Sequence, residues 1–404
     1  MKSLWLLLLV ATTAGFAQKP ISTPWVTTWA AAPETPGEPA RLLERQTVRE
    51  IMHLSVGGDE VQIRISNQYA HVPLEIAAVH VALRSQGSGV GSDRAVTFDG
   101  KPDVSVPAGA VWISDRIEMQ VADSADLAVS LYFEKPTYVL TQHTGSLQTN
   151  FITSGNHVSD ASIPSPQVLN SYPFVSGIDV WSRSRPALGT VVALGDSITD
   201  GYSSHQDTNH RWSNLLADRL IAAHKQYGVA NVGISANRLL HDGAPNAPYA
   251  PGANALARFD SDVLAQSGVS HVIVLEGIND LGHPGQSQPM SESVSPEDLE
   301  AAFQQLTVRA HAHGIRIYIC TILPFEGTPY PGYFTAEKEA KRQAVNEWLL
   351  ANRKRFDAVI DLDRALRDPE HPTRLLPAYD SGDHLHPSDS GMKAIADTIP
   401  LELF

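Results

Sequence analysis

Cysteine is almost missing: Cys320 is the only one in 404 residues, so no intrachain disulfide can form and stability must come from packing. It lies in the apolar run 315–322, where a buried, inert thiol is expected. Charge is sparse as well, at 18% of residues, and basic charge is sparser still, with 30 Lys and Arg against 44 Asp and Glu for a net charge of −14. This balance speaks against a partner held through a phosphate backbone or an anionic membrane surface, so nucleic acid is not an expected partner. Gly (28) and Pro (27) are ordinary in number and 43% of residues are apolar, which excludes disordered, collagenous and coiled-coil chains. No repeat of solenoid or propeller period is present.

Long hydrophobic runs are also lacking beyond the first residues. There Lys2 supplies a positive start, residues 4–10 an apolar stretch, and Gly15-Phe16-Ala17 the small-x-small pattern of a cleavage site. Residues 1–17 are expected to be a signal peptide, with the mature chain starting near Gln18 and secreted to the periplasm or outside the cell. The stretch falls short of the roughly 20 apolar residues that a spanning helix needs; an N-terminal anchor is the alternative. No stable membrane insertion is expected after cleavage.

What is present divides the chain in two, as the length predicts at about 100–200 residues per domain. From about Thr47 to Trp181 apolar and polar residues alternate, as in Val61, Ile63 and Ile65 against Glu60, Gln62, Arg64 and Ser66, or in Leu127, Val129, Leu131 and Phe133. Residues 18–184 are therefore expected to form an all-β sandwich, jelly-roll-like, with Gly57-Gly58-Asp59 as a hairpin turn, residues 85–93 as a polar loop and residues 182–189 as a linker. Trp112 and Trp181 fall on its strands, where aromatics belong to the core; sugar platforms are the alternative.

After Gly189 the period changes. Apolar runs 190–194, 228–232, 271–275, 316–322 and 358–362 alternate with helical stripes such as Trp212, Leu215, Leu216 and Leu220, then Leu299, Phe303, Leu306 and Ala310, then Ala344, Val345, Trp348 and Leu349. This pattern predicts an α/β domain over residues 185–404, a three-layer doubly wound parallel sheet whose ligands bind beyond the carboxyl ends of the strands.

The chemistry-bearing residues follow those runs. After the first stands Gly195-Asp196-Ser197, a sharp turn with a serine at the mouth of a helix, either a nucleophile or a helix cap. The pentapeptide G-x-S-x-G is absent around it. A serine hydroxyl needs a base, itself oriented by a third group. Asp383 and His386, three apart before the last helical segment, offer both; ligation of a metal by Asp383, His384 and His386 is the alternative. His384 reads as a neighbour of the base. Gly233, after the second run, can present a bare N–H and Asn279, after the third, a side-chain amide, as oxyanion donors or simply as loop residues.

The segments GDSITDG (from Gly195), NVGISANR (from Asn231), EGIND (from Glu276) and DHLHP (from Asp383) resemble, in order and placement, the four blocks of the SGNH hydrolases, also called GDSL-type esterases and lipases. The resemblance covers residues 191–399; the β-rich half also resembles a domain preceding the hydrolase in some large secreted members. It implies a flavodoxin-like fold and a serine ester hydrolase without metal or cofactor. The family's nucleophile falls on Ser197, its orienting acid on Asp383, its base on His386, and its oxyanion donors on the N–H groups of Ser197 and Gly233 and the Asn279 side chain. Ala236 stands where many members carry a second glycine. A secreted, acidic chain without a long apolar lid suits short acyl esters of carbohydrate or another small alcohol; a lipase or lysophospholipase for longer chains, and a carbohydrate-binding protein with a vestigial hydrolase, are the alternatives. Residues 241–254 and 324–334, rich in proline and aromatics, are expected to border the crevice.

Overall fold

A computed structural model describes residues 25–36, 39–183, 185–243 and 252–404. The expected signal segment 1–17 and residues 244–251 of the expected crevice loop lie outside the described residues.

The described residues of 25–181 form two large antiparallel sheets and three two-stranded ones. One runs Trp25–Ala30, Val175–Trp181, Gly58–Ser66, Ile117–Val121, with Val111–Ile113 also paired to Gly58–Ser66. The other runs Gln167–Leu169, Asn150–Ser154, Gln46–His53, Asp126–Phe133, Ala78–Leu83, Arg94–Val96. Their inward side chains interdigitate in one core, Val48, Met52, Leu127, Val129 and Leu131 from one sheet meeting Val61, Ile63, Ile65, Ile178 and Val180 from the other. The expected hairpin at Gly57-Gly58-Asp59 is not one. Gln46–His53 and Gly58–Ser66 lie in opposite sheets, so the turn carries the chain across the sandwich. Its glycine serves a close approach instead, since a Cβ on Gly57 would stand 2.3 Å from the Val121 carbonyl oxygen. Trp112 is 42% exposed between exposed Val111 and Ile113, outside the core expected for a strand aromatic. Trp181 is half-buried beneath the Arg183 guanidinium.

The second region is a five-stranded parallel sheet of β1 (Gly189–Gly195), β2 (Tyr227–Gly233), β3 (Val269–Leu275), β4 (Arg316–Cys320) and β5 (Ala358–Ile360), in the order β2-β1-β3-β4-β5. Alternate residues feed two cores, as a sheet covered on both faces requires. Val192, Leu194, Val272, Val274, Ile317 and Ile319 pack on Leu299, Phe303 and Leu306 of α3 (Pro296–Ala312) and on Val345 and Leu349 of α4 (Ala336–Ala351). Val191, Ala193, Ile273, Tyr318 and Cys320 pack on Trp212, Leu216 and Leu220 of α2 (Trp212–Ala222) and on Met392 and Ile395 of α5 (Asp389–Thr398). Cys320 is buried as expected, and burial pushes its thiol up, out of reach of ionisation. Ser295 caps α3 through a capping box with Asp298, and Pro296 opens its first turn. The strand order reverses at β1, which places a crevice at its carboxyl end.

The two regions are joined by buried polar contacts. Arg64 pairs with Asp179 at 3.0 Å and donates to Gln266 Oε1 at 2.7 Å; Thr27 N donates to the Ser267 carbonyl at 3.0 Å; Val229 N donates to Ser55 Oγ at 2.8 Å. A Cβ on Gly228 would meet the Thr27 carbonyl oxygen at 2.1 Å, so the first strand of the sandwich lies directly against β2.

Candidate active site

Ser197, Gly233 and Asn279 sit at or just beyond strand ends of the parallel sheet, and Asp383 and His386 lie in the loop that leads into α5. β1 ends at Gly195, where a Cβ would stand 2.1 Å from Thr199 Oγ1 and 2.6 Å from the Leu275 carbonyl oxygen, so only glycine fits. The Asp196 carboxylate then accepts from Ile198 N at 2.9 Å and caps the short helix α1 (Ser197–Asp200), which Gly201 ends at φ 99°. Ser197 is therefore not the cap. Its Oγ lies 2.9 Å from His386 Nε2, and His386 Nδ1 lies 2.6 Å from Asp383 Oδ2. Because a carboxylate only accepts, Nδ1 carries the ring proton and Nε2 is left to accept from the serine hydroxyl.

Asp383 is shaped to stay ionised. Burial raises its pKa, but the His386 hydrogen bond and charge, with the backbone N–H groups of His386 and Leu385 on Oδ1 at 2.8 and 3.0 Å, outweigh it and hold the carboxyl well below its usual range. A depressed carboxylate contributes stability above the unfolded value of about 3.9 and loses it as the pH falls toward the folded one. The stability difference between the wild type and Asp383→Asn is therefore expected to be constant from pH 7 to about 5 and to shrink below about 4. Thermal denaturation against pH measures it; a difference that widens in acid contradicts the assignment. His384, by contrast, is half-exposed and paired through Nδ1 with Asp380 Oδ2 at 2.5 Å, turned to a different carboxylate from that of His386. Among the described residues no group of three or more His, Cys, Asp or Glu side chains is arranged to hold a metal ion.

The donors are arranged differently from the expectation. Gly233 N–H is taken: it donates to the Asn231 side-chain oxygen at 2.8 Å, and the residue packs against the backbone of Thr199 and Asp200, where a Cβ would lie 2.3 Å from Asp200 N. Gly233 is a close-packing glycine rather than a donor. Three residues on, Ala236 adopts the left-handed conformation at φ 63°, and its N–H meets no acceptor among the described residues. Ser235 and Asn237 tether it, the first through Oγ to Asp200 Oδ2 at 2.6 Å, the second through its carbonyl to Asn279 Nδ2 at 2.8 Å. Asn279 is 4% exposed, and its amide is oriented by Tyr333, whose hydroxyl donates to Oδ1 at 2.6 Å. One Nδ2 hydrogen is bound to the Asn237 carbonyl, and the other meets no acceptor among the described residues.

A family model described as GDSL-like lipase/acylhydrolase matches residues 193–394. The chain belongs to that family. It is accordingly a carboxylic ester hydrolase, and the expected flavodoxin-like sheet preceded by a β-sandwich is what the structure contains. Solved structures similar to this chain include an aryl esterase of M. smegmatis (17% identity, 52% of this chain and 95% of that one, TM-score 0.40) and an acetyl xylan esterase, Axe2, of Geobacillus stearothermophilus (21%, 54% and 95%, 0.40). A third is an alpha/beta hydrolase from the metagenome of Lake Arreo (22%, 52% and 93%, 0.39). No curated protein matches the chain.

Three residues of this family member's site escape a reading of motifs. Ala236 was legible only as a departure from glycine. Tyr333 lies in the aromatic stretch expected beside the crevice, but its bond to Asn279 is a tertiary event. Arg258, only 2% exposed, donates to the carbonyls of Gly195 (3.0 Å) and Val232 (2.6 Å), to Asn237 Oδ1 (3.0 Å) and to Asp262 (3.0 Å), so one guanidinium ties the ends of β1 and β2 together. Nearby, burial and the charge of Asp280 push Asp196 up to about 7, against the pull of Ile198 N–H and Arg258. The Tyr202 ring packs 4.5 Å from the His386 ring at the mouth. Tyr333→Phe, which frees the Asn279 amide to rotate, is expected to lower kcat on the order of tenfold with KM nearly unchanged; steady-state kinetics on a p-nitrophenyl ester measures it, and an unchanged kcat removes Tyr333 from the site.

Proposed function

We propose that the chain is a secreted serine esterase that forms an acyl-enzyme on Ser197 and prefers short acyl groups, such as acetyl, on carbohydrate or another small alcohol. The observation that carries the mechanism is the chain of two hydrogen bonds, Ser197 Oγ to His386 Nε2 at 2.9 Å and His386 Nδ1 to Asp383 at 2.6 Å, between residues nearly two hundred positions apart. As Ser197 Oγ bonds to the ester carbonyl carbon, its proton passes to His386 Nε2, and the imidazolium is stabilised by Asp383. The negative oxygen of the tetrahedral intermediate is held by the N–H groups of Ser197 and Ala236 and the other Nδ2 hydrogen of Asn279. Collapse breaks the bond to the alcohol oxygen, which leaves with the His386 proton. Water then attacks the acyl-enzyme with His386 again as base, releasing the acid and restoring the serine.

The short-chain preference is supported by what the surface offers. In the hydrolase half the exposed large apolar side chains among the described residues are Leu188, Tyr202, Met290, Val308 and Tyr330, two of them tyrosines, which is little for docking on a lipid surface. Comparing acetyl and palmitoyl esters of one alcohol tests it. A higher kcat/KM for acetyl is the expected result; preference for palmitoyl overturns the substrate assignment. Secretion rests on Lys2, the apolar residues 4–10 and the small residues around Phe16. N-terminal sequencing of exported protein is expected to begin near Gln18.

A further inference from the structure

The β region reaches beneath the nucleophile helix. His143, on the strand Gln142–Thr144, is 4% exposed. Its Nε2 lies 3.1 Å from Asp200 Oδ1, and its Nδ1 lies 3.1 Å from Glu34 Oε1 and 3.0 Å from the Ala32 carbonyl oxygen. Every group facing the ring nitrogens is an acceptor, so both nitrogens must donate and the ring is an imidazolium held between two carboxylates. Glu34 is fixed in turn by Thr144, whose N and Oγ1 donate to it at 3.2 and 2.9 Å, and by backbone bonds to Gln142 in both directions.

Asp200 closes the helix that Ser197 opens, and it serves both halves of the proposed site. Oδ1 takes His143; Oδ2 takes Ser235 Oγ at 2.6 Å, the residue before Ala236. Its backbone carbonyl accepts from Arg211 Nε, and Arg211 Nη2 donates to the Ser146 carbonyl of the β region at 2.7 Å. The same face is stitched further out, where Thr149 donates through N and Oγ1 to the two oxygens of Asp207, each at 2.6 Å. One carboxylate therefore sets the helix bearing the nucleophile and the turn bearing an oxyanion donor, and its position is dictated by groups of the other domain.

We infer that His143 and Glu34 are positioning residues for ester hydrolysis, fixing Asp200 and through it the relative placement of Ser197 and the Ala236 N–H, so that the β region is a working part of the catalytic unit. This rests on the mechanism proposed above. A displacement of these groups by about 1 Å is enough to cost up to a hundredfold in rate while leaving substrate binding nearly intact.

The test uses the whole chain and p-nitrophenyl acetate, with His143→Phe, His143→Gln and Glu34→Gln beside the wild type and Ser197→Ala. Removing the cation leaves two buried carboxylates facing each other, so His143→Phe can fail to fold. His143→Gln keeps one N–H donor to a carboxylate, and Glu34→Gln keeps shape without charge; these decide the matter on the same criterion. Expected are kcat values lower by on the order of tenfold to a hundredfold in His143→Phe, with partial recovery in His143→Gln, and KM within about twofold, at temperatures where each variant has native circular dichroism. Wild-type kcat in the folded His143 and Glu34 variants overturns the inference alone. Absence of Ser197-dependent turnover in the wild type overturns the hydrolase mechanism and this inference with it.

Discussion

Ser197→Ala is expected to leave a folded protein whose ester turnover is lower by on the order of a thousandfold or more, and His386→Ala to match it. The fold should survive because the Ser197 hydroxyl makes one bond, to His386, while α1 is capped by Asp196 and ended by Gly201 without it. The activity should not, because no other hydroxyl is held against His386 Nε2 among the hydrogen bonds of the described residues. The two residues act as one unit, so the double variant is expected to be about as slow as either single one rather than the product of the two. What remains in both is the contribution of the donors and of binding. Multiplicative losses contradict a shared step, and a folded Ser197→Ala enzyme with full turnover removes the nucleophile assignment.

Asn279→Ala is the second large effect, a fall in kcat of about two to three orders of magnitude, the range for one lost oxyanion donor. The amide is 4% exposed, its oxygen held by Tyr333 and one hydrogen by Asn237, so its other hydrogen points in a fixed direction before substrate arrives. Such preorganisation is why one donor can matter so much: nothing has to be reoriented as charge develops. KM should change little, since the bond strengthens on the intermediate rather than on the substrate. Kinetics on acetyl esters reads both; a change confined to KM places Asn279 in substrate binding only.

Much of this was visible in the chain itself. The five apolar runs after Gly189 became the five parallel strands because each is a short β-rich segment set between helical stripes, and chemistry-bearing residues placed after such runs necessarily gather at one sheet edge. The distances among Ser197, His386 and Asp383 follow from that edge and from the Ser388 cap that starts α5 just past His386. What stayed hidden is tertiary. Alternation shows that Gln46–His53 and Gly58–Ser66 are strands but not that they lie in opposite sheets, because either pairing satisfies the pattern. A glycine in a loop reads equally as a donor or as a space-saver, and the steric demand of the Thr199–Asp200 backbone decides for the second at Gly233. Contacts such as His143 with Asp200, or Tyr333 with Asn279, join residues 57 and 54 positions apart and leave no local trace.

The most direct measurement is covalent labelling of the intact protein by a fluorophosphonate, followed by peptide mapping. Phosphorus should be found on Ser197, in one equivalent, with labelling suppressed in His386→Ala. An unlabelled wild-type protein, or an adduct on any other residue, contradicts the account.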